Sequence, residues 1–96
     1  MNNLNVGQWG EDLAVRHLEE KGYEILERNF RYKHGEVDII AFDDPLVVFV
    51  EVRTRQNDAL VSGYFSVSKK KKQALRPVCD YYIRTNDIQN YRFDVI

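Results

Sequence analysis

Glu36-Val37-Asp38-Ile39-Ile40-Ala41-Phe42, the turn Asp43-Asp44-Pro45, and Leu46-Val47-Val48-Phe49-Val50-Glu51-Val52-Arg53 form the stretch around which the chain is organised. Two β-rich runs separated by turn residues predict an antiparallel hairpin. A short loop centred on Asp44 and Pro45 pairs residues whose numbers sum to 89. Phe42 then faces Val47, Ile40 faces Phe49, Asp38 faces Glu51, and Glu36 faces Arg53. Directly opposed Cβ atoms lie about 4.5–5.5 Å apart, so this register holds two carboxylates side by side. Side chains alternate with a period of two, which puts Glu51 and Arg53 on one face and Val48, Val50 and Val52 on the other. Opposed like charges destabilise a sheet unless something positive sits between them. A divalent metal and Arg53 are the two candidates.

Working outward, the chain has 96 residues, 44% of them hydrophobic and 30% charged, which predicts a single small globular domain with a modest core. The longest apolar run, Leu46 to Val50, is too short to span a membrane. The opening Met1-Asn2-Asn3-Leu4-Asn5 has neither the basic region nor the apolar stretch of a signal peptide. Cys79 is the single cysteine, so no intrachain disulfide forms, and no Cys/His spacing suggests zinc. A cytoplasmic protein with no membrane partner is the expectation. The formal net charge of −1 does not announce a nucleic-acid partner, so the distribution of charge carries that question.

A first helix is predicted from about Val6 to Lys21, with Asn5 as N-cap and Gly22 just past its end. Its apolar stripe is Leu13, Ala14, His17 and Leu18. Glu11 lies on the line of Gly7, Ala14 and Leu18, at the border of that stripe rather than on the solvated face of Arg16, Glu19 and Glu20. A strand follows over Tyr23 to Arg31, and Tyr32-Lys33-His34-Gly35 turns it into the central hairpin; a four-residue turn sets Asn29 beside Asp38. His34 reads as a solvated turn residue. Thr54 to Tyr64 is a polar loop of the length that suits a binding segment. Ser68 caps a second helix, Lys69 to about Arg84, with Ala74, Leu75, Val78, Tyr81 and Tyr82 on its buried side and Pro77 expected to kink or split it. A last strand covers Tyr91 to Ile96 and, after a helical crossover, is expected to pair parallel to an earlier one. The order is α-β-β-β-α-β: an α/β or α+β fold with a mixed sheet.

An Asp on one strand and Glu-x-Lys on the next is the pattern of the PD-(D/E)-x-K nuclease superfamily, matched here by Asp38, Glu51, Val52 and Arg53. Gly7-Gln8-Trp9-Gly10-Glu11, Gly35-Glu36-Val37-Asp38, Phe49-Val50-Glu51-Val52-Arg53 and Arg92-Phe93-Asp94 resemble, in order and spacing, successive blocks of the YraN-like family of uncharacterised bacterial proteins described as predicted endonucleases. The layout is also similar to archaeal Holliday-junction resolvases, whose first-helix glutamate corresponds to Glu11. The resemblance runs from Gly7 to Ile96 and implies a restriction-endonuclease-like core. Family members usually continue beyond the Arg-Phe-Asp strand, which implies a C-terminally shortened version.

The resemblance implies a metal-dependent endonuclease acting on DNA. Mg²⁺ takes one or two carboxylates and keeps several waters, and Asp38 and Glu51 offer that seat for Mg²⁺ or Mn²⁺, with the Val52 carbonyl as a further ligand by resemblance. Glu11 assists by binding metal or placing water. Arg53 departs from the family's lysine: it stabilises phosphate charge bidentately but does not readily give up a proton. Its other reading is a cross-strand ion pair with Glu36. Lys69, Lys70, Lys71 and Lys72 cluster at a helix N-terminus, where Lys69, Lys70 and Lys72, with Arg55, are candidate contacts for a nucleic-acid backbone. Arg28, Arg31 and Lys33 are expected to extend that surface, and the aromatic residues to sit mostly in the core. The alternative to a nuclease is a non-catalytic nucleic-acid-binding or interaction domain on the same fold. A homodimer formed along the last strand is the expected assembly, with a monomer as its rival.

Overall fold

The central hairpin pairs in the expected register: Ile39 with Val50, Ile40 with Phe49, Ala41 with Val48, Phe42 with Val47 and Asp43 with Leu46. The computed structural model describes residues 6–52 and 69–96, with the backbone alone for residues 6–8 and 69–74. Along these the chain runs through α1 (Val6–Glu20), β1 (Glu24–Tyr32), β2 (Gly35–Asp43), β3 (Leu46–Glu51), α2 (Lys69–Thr85) and β4 (Tyr91–Val95). The strands lie side by side in the order β1-β2-β3-β4. The first three form an antiparallel meander, and β4 pairs parallel to β3 with Phe49 opposite Phe93. This is the expected α+β fold with a mixed sheet.

Alternation along β3 and along Ile39–Ala41 of β2 divides the core between the two sides of the sheet, with Val37 breaking the period of β2 to join Ile40. Ile39, Ala41, Val48 and Val50 meet Ala14 and Leu18 of α1. Val37, Ile40, Val47 and Phe49 meet Leu75, Val78 and Tyr82 of α2. Each large side chain removed from water in this way contributes about 1.5–3 kcal/mol. Phe30 and Phe49 both approach the Tyr82 ring edge-on, and Tyr32 stacks on Tyr81. These aromatic residues sit in the core as expected, whereas Tyr91 and Phe93 of β4 are 54% and 43% exposed.

The end of α1 is set by Gly22, whose φ of 96° suits a residue without a Cβ. Its N–H bonds to the Glu19 carbonyl and the Tyr23 N–H to that of Leu18, closing the helix in a Schellman motif. The stripe that α1 buries is narrower than its sequence suggests. Ala14 and Leu18 are buried, but Leu13 is 43% exposed and His17 is exposed too, because the sheet is met along the Glu11–Ala14–Leu18 line. Pro77 neither splits α2 nor ends it: the helix runs on from Lys69 to Thr85. Pro77 is exposed, so the amide it lacks is missing on the solvent side of the helix.

Two irregularities shape β1. A bulge at Leu26 shifts its register against β2 between the Ile25–Ala41 and Glu27–Ile40 pairs. Asn29 then has a φ of 53° inside the strand. On one side of it Arg28 pairs with Ile39, which faces α1; on the other Phe30 pairs with Val37, which faces α2. Residues two apart in a regular strand share a face. Here they do not, and neither do their partners Val37 and Ile39 in β2, so both strands change face at the level of Asn29 and Asp38.

Candidate functional site

The pairing of β2 with β3 reaches Ile39–Val50, and one step further lies the predicted carboxylate pair. There the Asp38 Oδ2 accepts the Val52 backbone N–H at 2.8 Å, so a side chain takes up an amide at the end of the ladder. Glu51 meanwhile stays in the sheet through its other neighbour: it pairs with Val95 of β4, and its carbonyl accepts the Ile96 N–H at 2.9 Å. The Glu51 side chain shares the face of Val47 and Phe49 and is fully buried. Asp38 is half-buried.

Among the described residues, Glu11 and Glu51 are the charged groups counted as buried, at 8% and 0% exposed, and both are residues singled out from sequence. Withdrawing a carboxylate from water is costly unless donors or a cation compensate. For Glu11 the compensation is visible. Its Oε1 accepts from Arg28 Nε at 3.1 Å, Arg28 Nη2 at 2.8 Å and Asn29 Nδ2 at 3.0 Å. Arg28 Nη2 also reaches Asp12 at 2.5 Å. The hydrogen bond to Asp12, ahead of that to Glu11, holds the guanidinium proton more tightly than usual.

Asn29 falls between the Arg28–Ile39 and Phe30–Val37 pairs, at the level of Asp38, as the four-residue turn predicts. Asn29 of β1, Asp38 of β2 and Glu51 of β3 therefore occupy one level across the sheet. Among the described residues no three carboxylate, histidine or cysteine side chains gather closely enough to enclose a metal ion. Asp38 and Glu51 share a level of the sheet, and Glu11 is held on the α1 side by its own partners. Two carboxylates suit an ion that retains water, and hard oxygen donors suit Mg²⁺ or Mn²⁺, so this donor set fits the implied metal.

Arg53 and Arg55 lie outside the described residues, as does the Thr54 to Tyr64 loop. Lys69, Lys70 and Lys72 belong to the first turn of α2. Arg28 and Arg31, expected to add to a positive surface, are both engaged: Arg31 Nε bonds Glu36 at 3.1 Å across the β1–β2 pair. Glu36 thus has an ion pair within the meander, while its alternative reading as a partner of Arg53 falls on a residue outside the described ones. His34 is exposed in the turn, as expected. Arg92 donates to Asp94 at 3.0 Å and to the Tyr23 hydroxyl at 2.6 Å, tying β4 to the start of β1.

Sequence reasoning passed over Arg28 and Asn29 as partners of Glu11. The signal was present in Asn29, a residue type that tolerates left-handed backbone, inside an otherwise β-rich run. A separate apolar pocket of about 390 Å³ lies between α2 and β4, lined by Leu75, Cys79, Ile83, Tyr91 and Phe93 among others. Of the predicted site residues that are described, Glu11, Asp38 and Glu51, none lines it.

Residues 10–96 match the model of an uncharacterised protein family, UPF0102. A UPF0102 protein of Caldicellulosiruptor saccharolyticus is 46% identical over the whole of this chain, which covers 83% of that relative. One from Clostridioides difficile is also 46% identical, with 100% of this chain and 86% of the relative aligned. One from Syntrophus aciditrophicus is 41% identical over 98% of this chain and 76% of its own length.

Proposed function

The chain belongs to the uncharacterised protein family UPF0102, and on that footing we propose that it is a metal-dependent nuclease acting on structured or branched DNA. The observation that carries this reading is the placement of Asp38 and Glu51 at one level where β2 and β3 cease to pair. Asp38 and Glu51 would hold the ion. A bound Mg²⁺ or Mn²⁺ makes its water a better nucleophile and offsets negative charge developing on the phosphate. Asp38 is oriented for this by the Val52 amide on Oδ2. Glu51 is fixed by the sheet on both sides, through Val50 toward β2 and through its own pairing with β4. Glu11 supplies a further carboxylate from α1, and Arg53 stabilises phosphate charge. The α2 N-terminus, with Lys69, Lys70 and Lys72, draws the phosphate backbone.

Calorimetric titration of Mg²⁺ or Mn²⁺ into the wild type and Asp38→Ala tests the seat. Binding by the wild type and its loss in the variant are expected; absence of carboxylate-dependent binding at millimolar metal overturns the reading. The second reading, a nucleic-acid-binding domain without catalysis, is favoured by one observation, an arginine at position 53 where the superfamily pattern has lysine. Cleavage of junction, flap and single-stranded substrates with Mn²⁺ separates the two. Cutting abolished by Glu51→Ala removes the second reading. Cutting gained only in Arg53→Lys supports it.

A further inference from the structure

We propose that the tip of the β1–β2 hairpin, led by Lys33, is a docking arm for the phosphate backbone of duplex DNA. This rests on the nuclease reading above and names a surface that would seat its substrate. The β1–β2 ladder outruns the rest of the sheet. β2 and β3 stop pairing at Ile39–Val50, whereas β1 and β2 continue through Phe30–Val37, Arg31–Glu36 and Tyr32–Gly35. At about 3.4 Å per residue, the last of these pairs stands about 10 Å past the level of Asp38. One strand of a duplex rises about 3.4 Å per phosphate, so a backbone held at that level meets the tip about three nucleotides away.

The arm is braced from behind, and its charge is exposed. Phe30 and Val37 pack with the core residues of α2, and Tyr32 stacks on Tyr81 with ring centres 4.1 Å apart. Lys33 Nζ stands 5.4 Å from the centre of the Tyr32 ring, which steers a side chain that remains exposed. Among the described residues no carboxylate forms an ion pair with Lys33, whereas Arg31 Nε is bonded to Glu36 at 3.1 Å. With 76% of the Arg31 side chain open to water, that pair is weak and readily exchanged for a phosphate. Charge is also segregated along β2. One end of the strand leaves the Lys33-His34 turn; the other closes on Asp43 and Asp44, with Glu24 opposite Phe42. Arg92, which reaches the acidic end, is ion-paired there with Asp43 and Asp94. The formal net charge of −1 therefore conceals a basic end and an acidic end, and a polyanion is steered to the former. Contacts to phosphate carry no base sequence, which suits an enzyme that recognises the form of its substrate.

Fluorescence anisotropy of a labelled four-way junction and a plain DNA duplex, with Ca²⁺ in place of Mg²⁺ and over a range of salt, tests the arm. Lys33→Asn removes the charge and tolerates the left-handed φ of 55°. It should weaken binding to both probes several-fold and reduce the slope of log K against log salt by about one. Glu36→Gln should tighten binding, since it releases Arg31 and takes a negative charge off the arm. Lys21→Asn makes the same change of net charge just past α1, away from the arm, and should leave affinity unchanged. Lys33→Asn equal to wild type in affinity and slope, or Lys21→Asn losing as much, overturns the arm; metal-dependent cutting by the same wild type leaves the nuclease reading standing. Lys33-dependent binding with no cutting in Mn²⁺ overturns the nuclease reading and keeps the arm. A loss seen with an RNA duplex but not with DNA overturns the choice of DNA, and a wild type that binds no probe overturns both readings. Should Lys33→Asn fail to fold, Glu36→Gln carries the test alone: binding no tighter than wild type overturns the arm.

Discussion

The Asp38 carboxylate accepts the Val52 amide at 2.8 Å, one step beyond the last β2–β3 backbone pair. Structure and charge are separable at this bond. Asp38→Asn keeps an oxygen acceptor and the shape, and should retain most of the stability while losing divalent-metal binding. Asp38→Ala leaves the amide without its acceptor and should cost about 1–3 kcal/mol in urea unfolding. Equal losses of stability in both variants would show that the negative charge, rather than the hydrogen bond, supports the fold here.

Gly22 tests the closure of α1. Among the described residues, no atom beyond its two chain neighbours lies within 4 Å of where a Cβ would stand, so Gly22→Ala has room but inherits a φ of 96°. The expected penalty is about 1–2 kcal/mol, purely from backbone strain. Gly22→Asn should recover part of it, since Asn tolerates left-handed geometry better than Ala. A difference between these variants in chemical unfolding isolates conformation from packing.

Burial first, and the neighbouring Asp80 second, push the Cys79 thiol up to about 12. The folded protein therefore favours the protonated thiol, and the sign of the pH effect follows. The contribution is fully present below the ordinary thiol value of 9.0 and is lost as pH rises from there toward about 12. Wild type should lose stability relative to Cys79→Ala as pH is raised from 8 to roughly 10.5. Parallel pH curves for the two proteins would refute this. Alkylating reagents should label Cys79 slowly in the folded state at neutral pH, since the thiolate is the nucleophile.

The homodimer expected from the sequence has a self-complementary register on β4, a strand that the described part of the sheet flanks on one side. Antiparallel pairing about Phe93 sets Arg92 against Asp94 and Tyr91 against Val95 in both directions. It would also cover the apolar pocket beside Tyr91 and Phe93. Sedimentation equilibrium at micromolar concentrations should give a mass above the monomer, lowered by Val95→Lys. A monomer throughout removes the dimer, and a dimer indifferent to the substitution moves its interface elsewhere.

The parts of this fold that were legible in sequence are those governed by local rules. Turn chemistry at Asp43-Asp44-Pro45 and period-two alternation fixed the register of β2 and β3, and with it the level shared by Asp38 and Glu51. Gly22 announced the end of α1, and the helical crossover announced the parallel β4. The reversal of β1 at Asn29 was not legible, because Arg28 and Phe30 are two apart and alternation assigns them one face. Exposure of Leu13 and His17 was equally hidden, since helical periodicity gives the direction of an apolar stripe but not the width that the sheet can cover. The engagement of Arg28 and Arg31 by carboxylates depends on neighbours that only the meander brings together.

The contrast between the connections of β3 has a consequence for how the sheet comes apart. Its link to β2 is the short Asp44–Pro45 turn, whereas its link to β4 passes through the whole of α2. Closing the longer loop costs more chain entropy, so the meander is the part that assembles on local contacts and β4 joins it afterwards. In the native ensemble the same inequality acts in reverse. Opening along the β3–β4 seam is the least costly partial unfolding of the sheet, and amide hydrogen exchange should find β4 less protected than β2. The Ile96–Glu51 bond belongs to that seam. Solvent would thereby reach Glu51, the most deeply buried carboxylate among the described residues, through a transient excursion of β4, without the meander having to unfold.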